Sequence, residues 1–372
     1  MSMGDGWLIG LMGMALYPYV FYPPVAWLRA RWFGRRVEEG DISPDVTFIV
    51  PVCNEAEFVS AKVENTLALA YPVGRMEIVF VSDGSTDGTA ERISALSGER
   101  GGRFRVIALR ERRGKMGAVA EAVRRTQGDV VILSDVTAEL APDAVTKLVR
   151  VFADPRVGVA GADFVLRGGG VFQRYRGFDN WLRRWESRCH SSIGLSGTCL
   201  AFRRQVISDL PGDVILDDIY IPLQAVKAGF RAVVVESVLS LEWTRTGYPE
   251  FHRKVRTLAG NYQMMFRFPS LLIPLRSPVA FAWWSHKILR LGTSVFLLAA
   301  YGLTMAISGF RGVGFWVQTG FYLGLALAWL LSRWGACPAV VRSVADVSVV
   351  LAADLVSPLC YWRGWTGARW RK

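Results

Sequence analysis

Charge is scarce in this chain. Only 20% of its 372 residues are Asp, Glu, Lys or Arg, against 51% apolar, and the mean hydropathy is +0.25. That balance excludes an ordinary pair of soluble domains, in which about 25% of residues carry charge. Histidine is nearly missing: His190, His252 and His286 have no ligand-like spacing, so none is assigned to a metal. The five cysteines contain no C-x-x-C pair and are odd in number, which argues for free thiols over a zinc site or a disulfide framework. No internal repeat or low-complexity segment is present. Acidic residues are also in deficit, 32 against 44 basic, for a net charge of +12. The basic residues gather beside apolar runs, so the expected partners are membrane lipids and a phosphate-bearing substrate, with no nucleic acid.

What the chain has in abundance is long uncharged sequence. Gly6–Leu28, Leu291–Phe310 and Gly312–Ser332 each exceed the roughly 18 residues that mark a transmembrane candidate. The first lacks a basic leader and is followed by Arg29, Arg31, Arg35 and Arg36, as a retained anchor with its following residues in the cytoplasm requires. Lys287 and Arg290 before the second run, and Arg333 and Arg342 after the third, agree with that orientation. Leu271–Leu291 reads as a helix lying in the membrane surface. Val340–Trp362 carries Arg342, Asp346 and Asp354, which are costly at bilayer depth, so an interfacial or partly inserted helix is expected there. A spanning segment would put the tail cations Arg363, Arg369, Arg371 and Lys372 outside. Many of the 14 tryptophans, including Trp27, Trp32, Trp316, Trp334 and Trp362, fall near these edges. The expected location is a multi-pass protein of the cell's inner membrane.

Between the apolar ends the pattern alternates. Strands are predicted at Val46–Val52, Glu77–Ser82, Phe104–Leu109 and Val130–Ser134, with helices at Val59–Ala70, Gly88–Leu96 and Lys115–Arg125. Shorter strands are expected at Val157–Ala160, Leu200–Arg203 and Ala232–Val235. This is the signature of βαβ units and an α/β fold with a mainly parallel sheet. The expected organisation is an anchor with its basic flank over residues 1–36, a cytoplasmic catalytic domain over 37–270, and interfacial and transmembrane helices over 271–372.

Three acidic stretches sit at strand ends: Val81–Thr89 with Asp83, Ser134–Thr137 with Asp135, and Leu216–Ile219 with Asp217 and Asp218. In an open α/β sheet the carboxyl ends of the strands form the rim where ligands bind. Asp83 enters a Gly/Ser turn, where a carboxylate can accept from a base N–H or a ribose hydroxyl, or serve only as a turn residue. Pro51 is expected to stop pairing of the first strand and to place Asn54 and Glu55 on the loop beneath a ligand. Gly114-Lys115 follows the basic loop Arg110, Arg112, Arg113 and opens a helix, an arrangement that favours a phosphate, although a solvated basic face reads the same way. Asp135 ends an apolar strand and suits a hard divalent cation bound with phosphate oxygens.

Taken in order, Pro51–Glu55, Val81–Thr89, Gly114-Lys115, Ser134–Thr137, Gly194-x-x-Gly197 with Arg203-Arg204, Asp217-Asp218 and Arg253–Arg256 resemble the motifs of family 2 glycosyltransferases. The similarity is to the membrane-embedded branch with hyaluronan and chitin synthases and ceramide glucosyltransferases, and it covers about residues 46–260. The resemblance implies a GT-A fold, a mainly parallel mixed sheet with helices on both faces, and inversion at the anomeric centre. It implies that Val52, Glu55, Asp83 and Lys115 hold a UDP-sugar, and that Asp135 binds the metal–diphosphate with Mg2+ or Mn2+ as cofactor. Asp218 would be the general base, Asp217 would orient its loop or an acceptor hydroxyl, and Gly194 and Gly197 would let the acceptor approach. Arg253 and Arg256 would contact the diphosphate.

Two departures matter. The second acid of the metal-binding D-x-D pattern is Thr137 here, and the tryptophan of the processive (Q/R)xxRW motif is replaced, since Thr257 follows Arg256. The expected activity is transfer of a hexosyl or N-acetylhexosaminyl group to a membrane-associated saccharide or lipid acceptor, in polysaccharide or glycolipid synthesis. Three or four spans form no obvious polymer channel, so a homo-oligomer or partner membrane proteins are expected. A catalytically silent nucleotide-binding membrane scaffold and a nucleotidyltransferase stay open as alternatives. Retention of Asp83, Asp135 and Asp218 speaks against the first, and the Asp217-Asp218 pair with the anchors against the second.

Overall fold

The structure, a computed structural model, describes residues 3–166, 171–207, 209–242, 250–274, 276–333 and 337–365. Trp334 and the tail cations Arg369, Arg371 and Lys372 lie outside the described residues. The described residues divide into two compact units: those within Met1–Leu28, Gly169–Arg176 and Thr246–Thr366 in one, and those within Arg29–Gly168 and Gly177–Arg245 in the other.

Two helices open the chain, α1 (Met3–Val20) and α2 (Tyr22–Phe33), bent by 49° at their junction. The expected single anchor Gly6–Leu28 is therefore broken. Pro18 inside α1, with Pro23 and Pro24 at the start of α2, removes backbone donors where a straight helix would need them.

Strands and helices then alternate: β1 (Val46–Val52), α3 (Ala56–Leu67), β2 (Met76–Asp83), α4 (Thr89–Glu99), β3 (Arg105–Leu109), α5 (Lys115–Arg124) and β4 (Val130–Ser134). After them come β5 (Ala138–Leu140), α6 (Ala144–Arg150), β6 (Val157–Leu166), α7 (Val171–Cys189), β7 (Cys199–Arg203), α8 (Asp217–Lys227) and β8 (Arg231–Glu242). All eight strands belong to one sheet, ordered β3-β2-β1-β4-β7-β6-β8-β5. The first four pair in parallel, while β7 runs antiparallel between β4 and β6, and β5 runs antiparallel on the edge of β8. Every residue of β1 and β4 is buried, as their near-continuous apolar runs require of strands covered on both faces. Phe48, Phe80 and Ile132 have essentially no exposure; each such side chain contributes about 1.5–3 kcal/mol of hydrophobic stabilisation.

Pro51 does not end β1. Pairing with β2 continues through Pro51 opposite Val81 to Val52, whereas the ladder toward β4 stops at Ile49. A strand tolerates a residue without an N–H where pairing on one side has already finished. The chain leaves β1 toward β2 and β3, then returns to the other side of β1 as β4. That reversal makes the carboxyl ends of β1 and β4 the switch point of the sheet, where a crevice opens.

In the other unit, α9 (Glu250–Arg267) is followed by a short 3₁₀ turn at Pro269–Leu272. The surface helix expected over Leu271–Leu291 is not continuous. Pro274 and Pro278 interrupt it, and helix resumes only at Ala280, with a π-helical turn at Trp283–Ile288. Thr293–Arg311 and Val313–Ser332 are long and apolar enough to cross a membrane, and the bent pair α1–α2 makes a third if it counts as one span. Ala339–Trp362 is a single helix, whose buried Asp354 accepts a hydrogen bond from the Ser294 amide at 2.9 Å.

Candidate active site

The loops after β1 and β2 are knitted together by neutral groups and one short acidic turn. Asn54 holds a left-handed backbone (φ 54°), a conformation that asparagine tolerates better than most residues. Its side-chain oxygen accepts from the Thr86 amide at 2.9 Å, and its own amide reaches Ser85 Oγ at 3.2 Å. The Glu55 amide donates to Thr89 Oγ1 at 2.9 Å, and the Ala56 amide donates to Asp87 at 3.2 Å. Val52 and Glu55 are both buried in this seam.

Asp83, buried at the end of β2, accepts from the Arg113 amide at 2.6 Å and the Gly114 amide at 2.9 Å. Gly84 (φ 58°) permits the approach, since a Cβ there would stand 2.8 Å from the Arg112 nitrogen. Gly114 (φ 81°) likewise occupies a glycine-favouring region at the start of α5. The amide of Gly114, expected to favour a phosphate, is thus already engaged by Asp83. A ligand N–H or hydroxyl would use the lone pairs left on that carboxylate.

Asp135 and Asp217 converge on one ammonium. Lys115 Nζ lies 2.7 Å from Asp135 Oδ1 and 2.7 Å from Asp217 Oδ2, joining the end of β4 to the first turn of α8. Burial disfavours the charge on Lys115, but the two carboxylates outweigh it and raise its pKa above the ordinary lysine value. Asp217 and Asp218 both occupy the first turn of α8, where the helix dipole favours negative charge.

The 134–138 turn is held from behind. Asp135 donates its amide to the Thr198 carbonyl at 3.0 Å, and the Ala138 amide closes back on the Asp135 carbonyl at 3.1 Å. Lys62 reaches this turn from the buried face of α3. Neither Lys62 nor Thr198 stood out in the sequence. The available signal was a lysine among Val59, Val63 and Thr66, all on the inward stripe of α3.

Gly194 and Gly197 meet the acidic pair. A Cβ on Gly197 would stand 3.5 Å from the Asp218 Cβ, and one on Gly194 would stand 3.2 Å from Ile219 Cγ1. The Leu195 amide donates to the Asp218 carbonyl at 2.8 Å. The loop is thus tied to the start of α8, beside the half-buried Asp218. Arg253 and Arg256, one turn apart and half-buried on α9, belong to the other unit.

Among the described residues no group of three or more His, Cys, Asp or Glu is placed to hold a metal. At the end of β4, Asp135 has its side chain 31% exposed, and Thr137 is buried. The Lys115 ammonium already rests on Asp135 as a cation does. This donor set fits a magnesium-type ion that arrives with substrate phosphates and takes one carboxylate from the protein.

Comparison with known proteins agrees with the geometry. Residues 47–210 match the model "Glycosyl transferase family 2", and residues 130–332 match "Glycosyl transferase family group 2". The chain belongs to glycosyl transferase family 2. It is 24% identical over 272 residues to a poly-beta-1,6-N-acetyl-D-glucosamine synthase of Staphylococcus aureus (strain COL), an alignment covering 66% of this chain and 64% of that protein. It is 25% identical over 256 residues to an N-acetylglucosaminyltransferase of Rhizobium sp. (strain N33), covering 59% and 56%. The chain therefore spans less than two thirds of the length of these relatives. Among solved structures, a mannosyltransferase of Pyrobaculum calidifontis in complex with GDP-Man and Mn2+ superposes with a TM-score of 0.76 at 23% identity, over 97% of this chain and 99% of that one. This family member has the GT-A fold expected from its motifs.

Proposed function

We propose that the protein is an inverting, membrane-bound glycosyltransferase that moves a sugar from a UDP-sugar to a saccharide or lipid acceptor. The observation that carries this reading is the convergence of Asp135, Lys115 and Asp217 at the switch point of the sheet, with Asp218 on the next residue facing a glycine loop. The similarity to a poly-N-acetylglucosamine synthase and an N-acetylglucosaminyltransferase favours an N-acetylhexosamine donor and a growing saccharide as acceptor.

The β1–β2 seam and Asp83 receive the nucleoside. Asp135 would hold a divalent ion, Mg2+ or Mn2+, whose chemistry is to offset charge on the departing diphosphate. Lys115, adjacent to Asp135, supplies a positive charge beside the same leaving group. The acceptor hydroxyl oxygen forms a bond to the anomeric carbon from the face opposite the diphosphate. The carbon–oxygen bond to the diphosphate breaks, the electron pair leaves with UDP, and the hydroxyl proton passes to the Asp218 carboxylate. Asp217 positions the start of α8 through its ion pair with Lys115. Arg253 and Arg256 are assigned to the diphosphate on family resemblance. We assign the catalytic unit to the cytoplasmic side of a bilayer, a reading supported by the membrane-length helices and by the arginine-rich flank Arg29, Arg31, Arg35 and Arg36.

The test is a donor screen on membranes containing the full chain, with Mn2+, Mg2+ or EDTA. Transfer from a UDP-N-acetylhexosamine that EDTA abolishes is expected. Transfer from GDP-mannose alone would overturn the donor assignment, and no transfer from any nucleotide sugar would favour the silent scaffold.

A further inference from the structure

The carboxylate assigned to the metal–diphosphate does not hold its own place. Lys62, 2% exposed, extends from the middle of α3 beneath the turn that joins β4 to β5. Its ammonium donates to Ser134 Oγ at 2.7 Å and to the Ala138 carbonyl at 2.6 Å. Those acceptors bracket Asp135, Val136 and Thr137. Farther along the same helix, the Asn65 amide nitrogen donates to the Leu140 carbonyl at 2.8 Å, and its oxygen accepts from the Leu140 amide at 3.1 Å. Ser134 Oγ in turn donates to the Thr198 carbonyl at 3.2 Å. One buried cation thus ties both ends of the Asp135 turn to α3, the helix that follows the β1 loop.

A cation in this position is costly, and the ring of Phe48 lies 5.9 Å from it. Burial lowers the Lys62 pKa to about 8, while Cys199 and Asp135 draw it back upward. A methionine would fill the same volume without the desolvation cost, so packing does not account for the ammonium. What the ammonium adds is a double clamp on the turn and positive potential under its carboxylate.

We propose that Lys62 is a positioning residue that sets the Asp135 turn for the donor diphosphate. This rests on the glycosyltransferase reading of the site. The nucleoside seam of Asn54, Glu55 and Asp83 makes no hydrogen bond to Lys62, so the two halves of a nucleotide should respond differently when Lys62 is changed.

The experiment compares UDP and uridine binding, with Mn2+, to the detergent-solubilised full chain as wild type, Lys62→Met and Ser134→Ala. Loss of charge-assisted hydrogen bonds predicts about ten- to hundredfold weaker UDP binding by Lys62→Met, with uridine binding unchanged. Ser134→Ala, which removes one clamp acceptor and leaves the ammonium in place, should weaken UDP about threefold, again sparing uridine. The KM for the nucleotide sugar should rise while kcat changes little. Equal weakening of UDP and uridine, or no weakening of either, would overturn the role of Lys62. If Lys62→Met does not fold, Ser134→Ala decides by the same criterion. Wild type that binds neither ligand would instead overturn the nucleotide-sugar reading itself.

Discussion

The two halves of the rim are held by different forces. At the ends of β1 and β2 most contacts are backbone amides given to side-chain oxygens over short distances, as in the Asn54–Thr86 and Glu55–Thr89 bonds. At the end of β4 and the start of α8 the order comes from buried charge: one ammonium shared by Asp135 and Asp217, and a second beneath the Asp135 turn. A hydrogen-bonded seam loses about 1 kcal/mol when one neutral partner is removed. A buried ion pair loses several when one charge is left behind. The nucleoside side is therefore expected to be a preformed, tolerant platform. Under the proposed function, the diphosphate side is a charge balance that an arriving dianion and its metal would rearrange.

The comparison is sharpest where chemistry and scaffolding separate. Asp218→Asn should lower the transfer rate by about 10²–10⁴-fold, the usual worth of a general base, with UDP affinity retained. Unchanged turnover in radiolabelled transfer assays would remove Asp218 from the reaction. Lys115→Met should cost about 3 kcal/mol in chemical unfolding, because it strands Asp217 next to Asp135 in a buried site. Asp83→Asn should cost about 1–3 kcal/mol, since the Arg113 and Gly114 amides lose a charged acceptor. Asn54→Gly, which keeps the left-handed backbone and removes the side-chain acceptor of the Thr86 amide, should cost about 1 kcal/mol. If Asn54→Gly proved as damaging as Lys115→Met, the contrast between the two halves would fail.

The smallest effect concerns pH. Burial, followed by the charges of Arg231 and Arg35, lowers the His190 pKa to about 4. The folded chain therefore keeps His190 neutral where the unfolded chain protonates it. Between about pH 6.5 and pH 4 the unfolded state binds more protons, so the stability contributed by neutral His190 is lost as pH falls through that window. His190→Gln should flatten this part of the melting-temperature profile without changing either half of the rim.

Much of this was legible in the chain, for definable reasons. The parallel strands were visible because β1 and β4 are buried on both faces and so read as near-continuous apolar runs. The acidic rim was visible because strand ends at the switch point must carry whatever polar groups the site uses. The breaks were harder to see. The apolar composition of Gly6–Leu28 masks the proline bend, and Pro51 looked like a stop although only one ladder ends there. The ion pairs of Lys115 were invisible, because residues 115, 135 and 217 meet only through the crossing of α5, β4 and α8. Lys62 was the most hidden, since a lysine within an amphipathic helix is ordinarily solvent-facing.

The stereochemistry of transfer tests the central claim most directly. With a UDP-α-N-acetylhexosamine donor and a defined acceptor, the new linkage can be assigned by NMR. Direct attack by a hydroxyl whose proton passes to Asp218, opposite the diphosphate held near Asp135 and Lys115, predicts a β-linked product. An α-linked product would contradict that geometry and require a different arrangement of the reacting groups.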